Sequence, residues 1–212
     1  MPRPKNRLKA APRKRIRRTP DEARRLILEA AQARIARTGP EGLRLQDIAA
    51  DVGISHPSIL HHFGSRAGLV RALTRQAVTE LRDKLIAATA EAEDAIESEL
   101  HQVFDAFRNG LAQRMAWLAT VDPGGDESES LLVLRQIVDT LHARRVAAAP
   151  ARTRIERSDT EHLVHLVAIA AFGDAMFGPQ LRRSAGISTD GASDRRFRTW
   201  LSALLARHLT PG

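Results

Sequence analysis

One stretch, "LQDIAADVGISHPSILHHF" at residues 45–63, constrains this chain more than any other. Leu45, Ile48, Ala49 and Val52 recur at the three-and-four spacing of an apolar helical face and then stop at Gly53. Two residues later Ser55 offers a side-chain cap and Pro57 sits in the first turn, where a missing N–H costs nothing. The pattern predicts two short helices joined by a tight turn, because a residue with a Cβ would resist the positive φ such a turn requires. Ile48, Val52, Ile54 and Ile59 are spaced to form the seam between them. His56, Ser58, His61 and His62 are then left facing outward.

The neighbouring segments are also helical. Thr19, Pro20 and Glu22 form a capping-box start, and Leu26, Ile27, Ala30, Ala31 and Ile35 continue at helical spacing to Gly39-Pro40. From Arg66 a longer pattern runs through Leu69, Val70, Leu73, Ala77, Leu81 and Leu85, and another follows through Leu100, Phe104, Phe107, Leu111, Met115 and Leu118 to Pro123. Further helices are expected over about 131–146, over 154–177 with Gly178-Pro179 as the stop, and over about 193–209. No period-two strand, heptad array or internal repeat is present in the sequence. The expected fold class is all-α, with short helices crowded near the N-terminus and longer ones after them.

Charge divides the chain as well. Residues 1–18 carry nine Lys or Arg and no acid, which leaves residues 19–212 with 24 basic and 25 acidic side chains. The formal net charge of +8 therefore resides in an N-terminal arm, whose prolines and lack of large apolar groups predict disorder in isolation. Within it Arg13, Lys14, Arg15, Arg17 and Arg18 are the candidates for running along a nucleic-acid groove. Cysteine is absent, which fits a reducing compartment, and no apolar run is expected to reach the roughly 20 residues of a membrane span. The chain reads as cytoplasmic, without membrane association.

Two short helices joined through a glycine, the second rich in small hydrogen-bonding groups, make a helix-turn-helix, in which the second helix enters the DNA major groove. Residues 23–73 resemble the DNA-binding domain of the TetR family of transcriptional regulators, through Ile48-Ala49, Gly53, Ser55 to Ser58 and the terminal His62-Phe63. The resemblance implies that Arg44, Gln46, Ser55, His56, Pro57, Ser58 and His61 approach base edges or backbone, and that His62 and Arg66 hold phosphates. Leu60 stands where the family commonly has tyrosine, Arg66 where it has lysine, and Arg44 where Ser or Thr is frequent. The implied protein is a homodimeric, ligand-responsive regulator, most simply a repressor, binding double-stranded DNA at a palindromic operator. Its parts would be a disordered basic arm over 1–18, a three-helix DNA-binding domain over 19–75, and a larger helical effector-binding and dimerisation domain over 76–212.

The second half carries 16 basic and 19 acidic groups over residues 76–212, unsuited to a polyanion. The segment from Leu163 to Phe177 is apolar around most of its circumference, and Phe197, Trp200, Leu201, Leu204, Leu205 and Leu209 add a second stripe. Together these predict a four-helix interface between two copies. Phe104, Phe107, Met115, Trp117, His165, Phe172 and Met176 are the candidates for an apolar pocket holding a small-molecule effector.

Other functions find less support. His56, His61 and His62 do not converge on one helical face as an i, i+4 pair would, so no metal site is expected. There is no thiol, Gly-rich phosphate loop, HExxH helix or Gly-x-Ser-x-Gly elbow, and neither an enzyme nor a cofactor is expected. The competing reading is a helical small-molecule binding or adaptor protein whose helix-turn-helix is architectural.

Overall fold

The computed structural model describes residues 19–87, 95–123, 128–150 and 154–209, so the basic arm lies outside the described residues. Among them there are nine α-helices and no strand: α1 (Pro20–Thr38), α2 (Leu45–Val52), α3 (His56–Phe63), α4 (Arg66–Ala87), α5 (Ala95–Ala106), α6 (Ala112–Val121), α7 (Ser128–Ala148), α8 (Arg157–Ser184) and α9 (Gly191–Leu209).

The first three helices and the start of α4 enclose one core of Ile27, Ala31, Ile35, Leu43, Ile48, Val52, Ile59, Leu69, Val70 and Leu73. Local chemistry sets their limits. Thr19 Oγ1 accepts from the Glu22 N–H at 3.2 Å, as the capping pattern requires. Gly53 takes φ 71°, ψ 36°, the left-handed conformation that lets α2 end and α3 begin within three residues. Ser55 Oγ accepts from the Ser58 N–H at 3.3 Å and starts α3.

A second core joins Leu100, Phe104, Phe107, Leu111 and Ala112 to Ala171, Leu201 and Leu205, so α8 and α9 both pack over α5 and the segment after it. That segment departs from the continuous helical pattern. Phe107–Leu111 forms a π-helical turn, and Asn109 (φ −78°, ψ 27°) and Gly110 (φ 99°) leave helical geometry altogether, so α6 sets off in a new direction.

The expected stop at Gly178-Pro179 is overturned, since α8 continues through both residues to Ser184. Proline removes only one hydrogen bond, and ion pairs bridge the site: Arg182 Nη1 donates to Asp174 Oδ1 at 2.7 Å, two turns back. Buried Gly178 makes room for this, because a Cβ there would lie 2.5 Å from Asp174 Oδ1. The expectation about membrane length is also corrected: α8 is long and apolar enough to cross a bilayer by length and composition. Its buried, doubly paired Asp174 and its packing on α5 hold one side of it against a protein core, while only 11% of its apolar window is buried.

Candidate nucleic-acid interface and adjoining cavity

α3 is rooted in the first core by Ile59, with Phe63 packed against that core, and is held at both ends. Ile59 is fully buried in the first core, which forces the rest of this two-turn helix to present its other faces outward. Pro57 and His61 are exposed, and His56, Ser58 and His62 are half-buried at the edges of the same face. Ser55 and Ser58 hydroxyls lie 2.8 Å apart and share a hydrogen bond, so one of their protons or lone pairs is already committed. Leu60 is 37% exposed and belongs to the outward face rather than to the core. Arg44 and Gln46, at the start of α2, are both exposed and outside any side-chain capping role for that helix.

Three arginines hold this reading head in place, and sequence reasoning assigned none of them that task. Arg24 on α1 donates to the His62 carbonyl at 3.1 Å and lies over the Phe63 ring at 4.6 Å, placing positive charge at the negative C-terminus of α3. Arg34 donates to both oxygens of Asp51 at 2.6 and 2.9 Å and to Asp47 Oδ2 at 3.3 Å. The hydrogen bond from Arg34 holds the Asp51 carboxyl below its ordinary range, and this single guanidinium offsets one of the two negative charges α2 carries on a surface that would face phosphates.

Arg66, expected to hold a phosphate, donates to the Pro40 and Glu41 carbonyls at 2.8 and 2.9 Å and stacks over Trp117 at 4.6 Å. Its guanidinium thus ties three elements together: the start of α4, the α1–α2 loop, and α6. The reason is proximity: Trp117 and Leu118 pack against the first core, so α6 brings an aromatic face to the cation at this helix junction.

Beneath the head, helices α4 to α9 enclose a cavity of 710 Å³, within the range of small-molecule sites. Of the residues expected to line it, Phe107 and Met115 do. The others lie elsewhere: Trp117 packs against the first core, Phe104 packs edge-on to Phe197, Phe172 packs edge-on to Phe107, Met176 borders the second core, and His165 is exposed on α8. Aromatic content pointed to core here. The walls are aliphatic, built from Val78, Val103, Leu111, Leu141, Val164 and Val167. A usable signal lay in Leu134, Ile137, Leu141 and Arg144, which recur on one face of α7 and all line the cavity.

Burial pushes the Glu99 carboxyl up, against the opposing pull of Arg144, which donates to it at 3.0 Å. Among the described residues no group of three His, Asp or Glu is placed to hold a metal ion.

Outside the cavity, α8 and α9 present apolar side chains to solvent: Leu166, Ile169, Phe177 and Leu181 from the first, Trp200 and Leu204 from the second. The two helices are tied at opposite ends, Asp159 of α8 to His208 of α9 and Arg182 of α8 to Asp194 of α9, so they run antiparallel over α5.

Residues 27–73 match the model of bacterial regulatory proteins, tetR family. The HTH-type transcriptional repressor Rv3405c of Mycobacterium tuberculosis is 28% identical over 191 residues, covering 90% of this chain and 91% of that protein. A TetR-family transcriptional regulator from Pectobacterium atrosepticum superposes with a TM-score of 0.66 at 18% identity, over 91% of this chain and 96% of that one. The multidrug binding protein EbrR, solved with imidazole, gives 0.60 at 18% identity over 90% and 96%. At such identities these two structures speak for the fold.

Proposed function

We propose that this chain, whose residues 27–73 match the tetR-family model, is a TetR-like ligand-responsive repressor, binding a palindromic operator as a homodimer in the cytoplasm. The observation that carries this reading is α3: a capped helix with Ile59 as its root and His56, Pro57, Ser58 and His61 on its free face. Histidine and serine can donate to or accept from base edges, and Pro57 and Leu60 can touch a thymine methyl. In this reading residues 19–75 form the DNA-binding domain and 76–212 the effector and dimer domain. The exposed apolar faces of α8 and α9 pair with a second copy and set the two α3 helices about 34–36 Å apart, one turn of DNA.

The test is binding to DNA flanking the protein's own gene. Ser58→Ala with His61→Ala is expected to reduce discrimination between operator and random DNA by about 1–3 kcal/mol for each base interaction removed, with the helical circular-dichroism signal unchanged. Specific binding that survives both substitutions refutes the assignment. The basic arm supplies sequence-independent affinity in this scheme, since residues 19–75 carry only eight basic against six acidic groups. Removing residues 1–18 is accordingly expected to flatten the dependence of log affinity on log salt; an unchanged slope argues against a role for the arm.

Effector occupancy is communicated through α6. Met115 and Leu118 of this helix and Asp122 at its end line the cavity, while Trp117 rests on Arg66 and the first core. A ligand that binds one setting of α6 better than another biases the angle of the reading head by that difference in affinity. EbrR is described as a multidrug binding protein, and an aliphatic cavity of 710 Å³ suits the same general kind of occupant.

A further inference from the structure

The cavity's charged residues are not scattered. Arg71, Arg75 and Asp122 line one end, where the start of α4 meets the end of α6. Glu99, Arg144 and Arg145 line the other. From Arg71 to Leu85 the wall follows α4 for fourteen residues, about 21 Å at 1.5 Å per residue. Among the described residues no other charged side chain lines the space between. It is a long aliphatic channel with polar ends.

At the far end Arg144 donates to Glu99 at 3.0 Å and to the Leu85 and Ile86 carbonyls at 3.0 and 2.5 Å, and Arg145 donates to Thr160 Oγ1 at 2.6 Å and pairs with Asp159. These guanidiniums are closed off by the protein itself. At the near end Arg71 and Arg75 stand one helical turn apart, and Arg71 pairs with Asp122, the carboxylate that lines this end. The Arg71 and Asp122 side chains are 31% and 28% exposed, so water and a ligand headgroup can reach the pair.

The geometry points to an elongated amphiphilic carboxylate, of the long-chain acyl type, as the ligand of this cavity, with its apolar body along α4 and its carboxylate on Arg71 beside Arg75. The inference rests on the effector reading above and specifies its ligand class. Four guanidiniums against two carboxylates in the lining oppose a cationic ligand. A neutral one has nothing to exchange for Asp122. A carboxylate replaces Asp122 on Arg71 at little electrostatic cost, while the buried chain supplies the affinity. That exchange releases Asp122, which caps α6, from α4 and so loosens the helix on which the reading head rests.

The test compares palmitate, hexadecanol and hexadecylamine, each below its self-association threshold, on the full chain by calorimetry, with operator affinity read in parallel. Palmitate is expected to bind about tenfold more tightly than the other two, the worth of one charge-assisted hydrogen bond. Arg71→Gln is expected to erase that preference while leaving hexadecanol binding unchanged, and Asp122→Asn to tighten palmitate by removing its competitor. Equal or tighter binding of the alcohol or amine, weaker palmitate binding by Asp122→Asn, or no binding of any of the three overturns the inference. Operator release by hexadecanol alone would leave the effector reading standing and sink the carboxylate. Palmitate binding without any change in operator affinity would do the reverse.

Discussion

Ile169→Glu combined with Trp200→Glu is expected to yield a folded monomer whose operator affinity falls by about 100-fold or more, seen in sedimentation and in DNA titration of one preparation. Ile169 is 58% and Trp200 57% exposed in the single chain, and they stand on two helices that share a solvent-facing apolar surface with Leu166, Phe177 and Leu204. Burying such a side chain contributes about 1.5–3 kcal/mol, so under the proposed homodimer a patch of this size is where a second copy would gain its stability. A carboxylate placed there must be desolvated without a partner, which costs more than the apolar burial it replaces. The fold should survive, because Leu201, Leu205 and Ala171, on the opposite sides of the same helices, face the core. A variant that remains dimeric with unchanged operator affinity would move the dimer face elsewhere.

Asp174→Ala is expected to destabilise the protein by about 3 kcal/mol or more in urea unfolding. Asp174 accepts from Arg108 and Arg182, both at 2.7 Å, and Asp194 pairs with the same two arginines, so four charges alternate in a closed ring. The Asp174 and Arg182 side chains are only 7% and 11% exposed. Removing one carboxylate leaves two guanidiniums to one acid, and the charge left uncompensated on buried Arg182 dominates the cost, Arg108 being 37% exposed. Arg25→Ala serves as the control. Its partner is Glu29 at 2.6 Å on an open helix face, where such a pair contributes no more than about 0–1 kcal/mol. Similar losses of stability for the two variants would show that the ring is not the brace described. Its place matters because Arg108 immediately precedes the kink at Asn109 and Gly110, and the ring fixes that kink to both α8 and α9.

The reading head was legible in the sequence because nearly everything that shapes it acts over a few residues. Thr19 and Ser55 cap their helices through N–H groups three residues ahead, and Gly53 adopts the conformation its position demanded. The match over residues 27–73 follows from the same concentration of local signals. Leu60, by contrast, is an apolar side chain that could serve either a core or an outward face, and the burial of Ile59 next to it leaves it facing out.

The arginines were not legible. Arg24, Arg34, Arg66 and Arg71 differ little as sequence, since each is a long flexible cation on a helix, yet one grips a helix end, one clamps two acids, one ties α4 to the α1–α2 loop and α6, and one lines a cavity. The same holds for α8, where Gly178-Pro179 carried a strong stop signal that distant ion pairs outweighed. It holds again for the cavity, whose walls are aliphatic residues indistinguishable from core until six helices are seen failing to fill the space between them. Backbone hydrogen bonds and caps are satisfied within one turn, so the sequence alone settled where most helices begin and which face of α3 is free. Packing and charge pairing join residues far apart in the chain, so only the tertiary structure decided what those helices enclose and which cations are held within the protein.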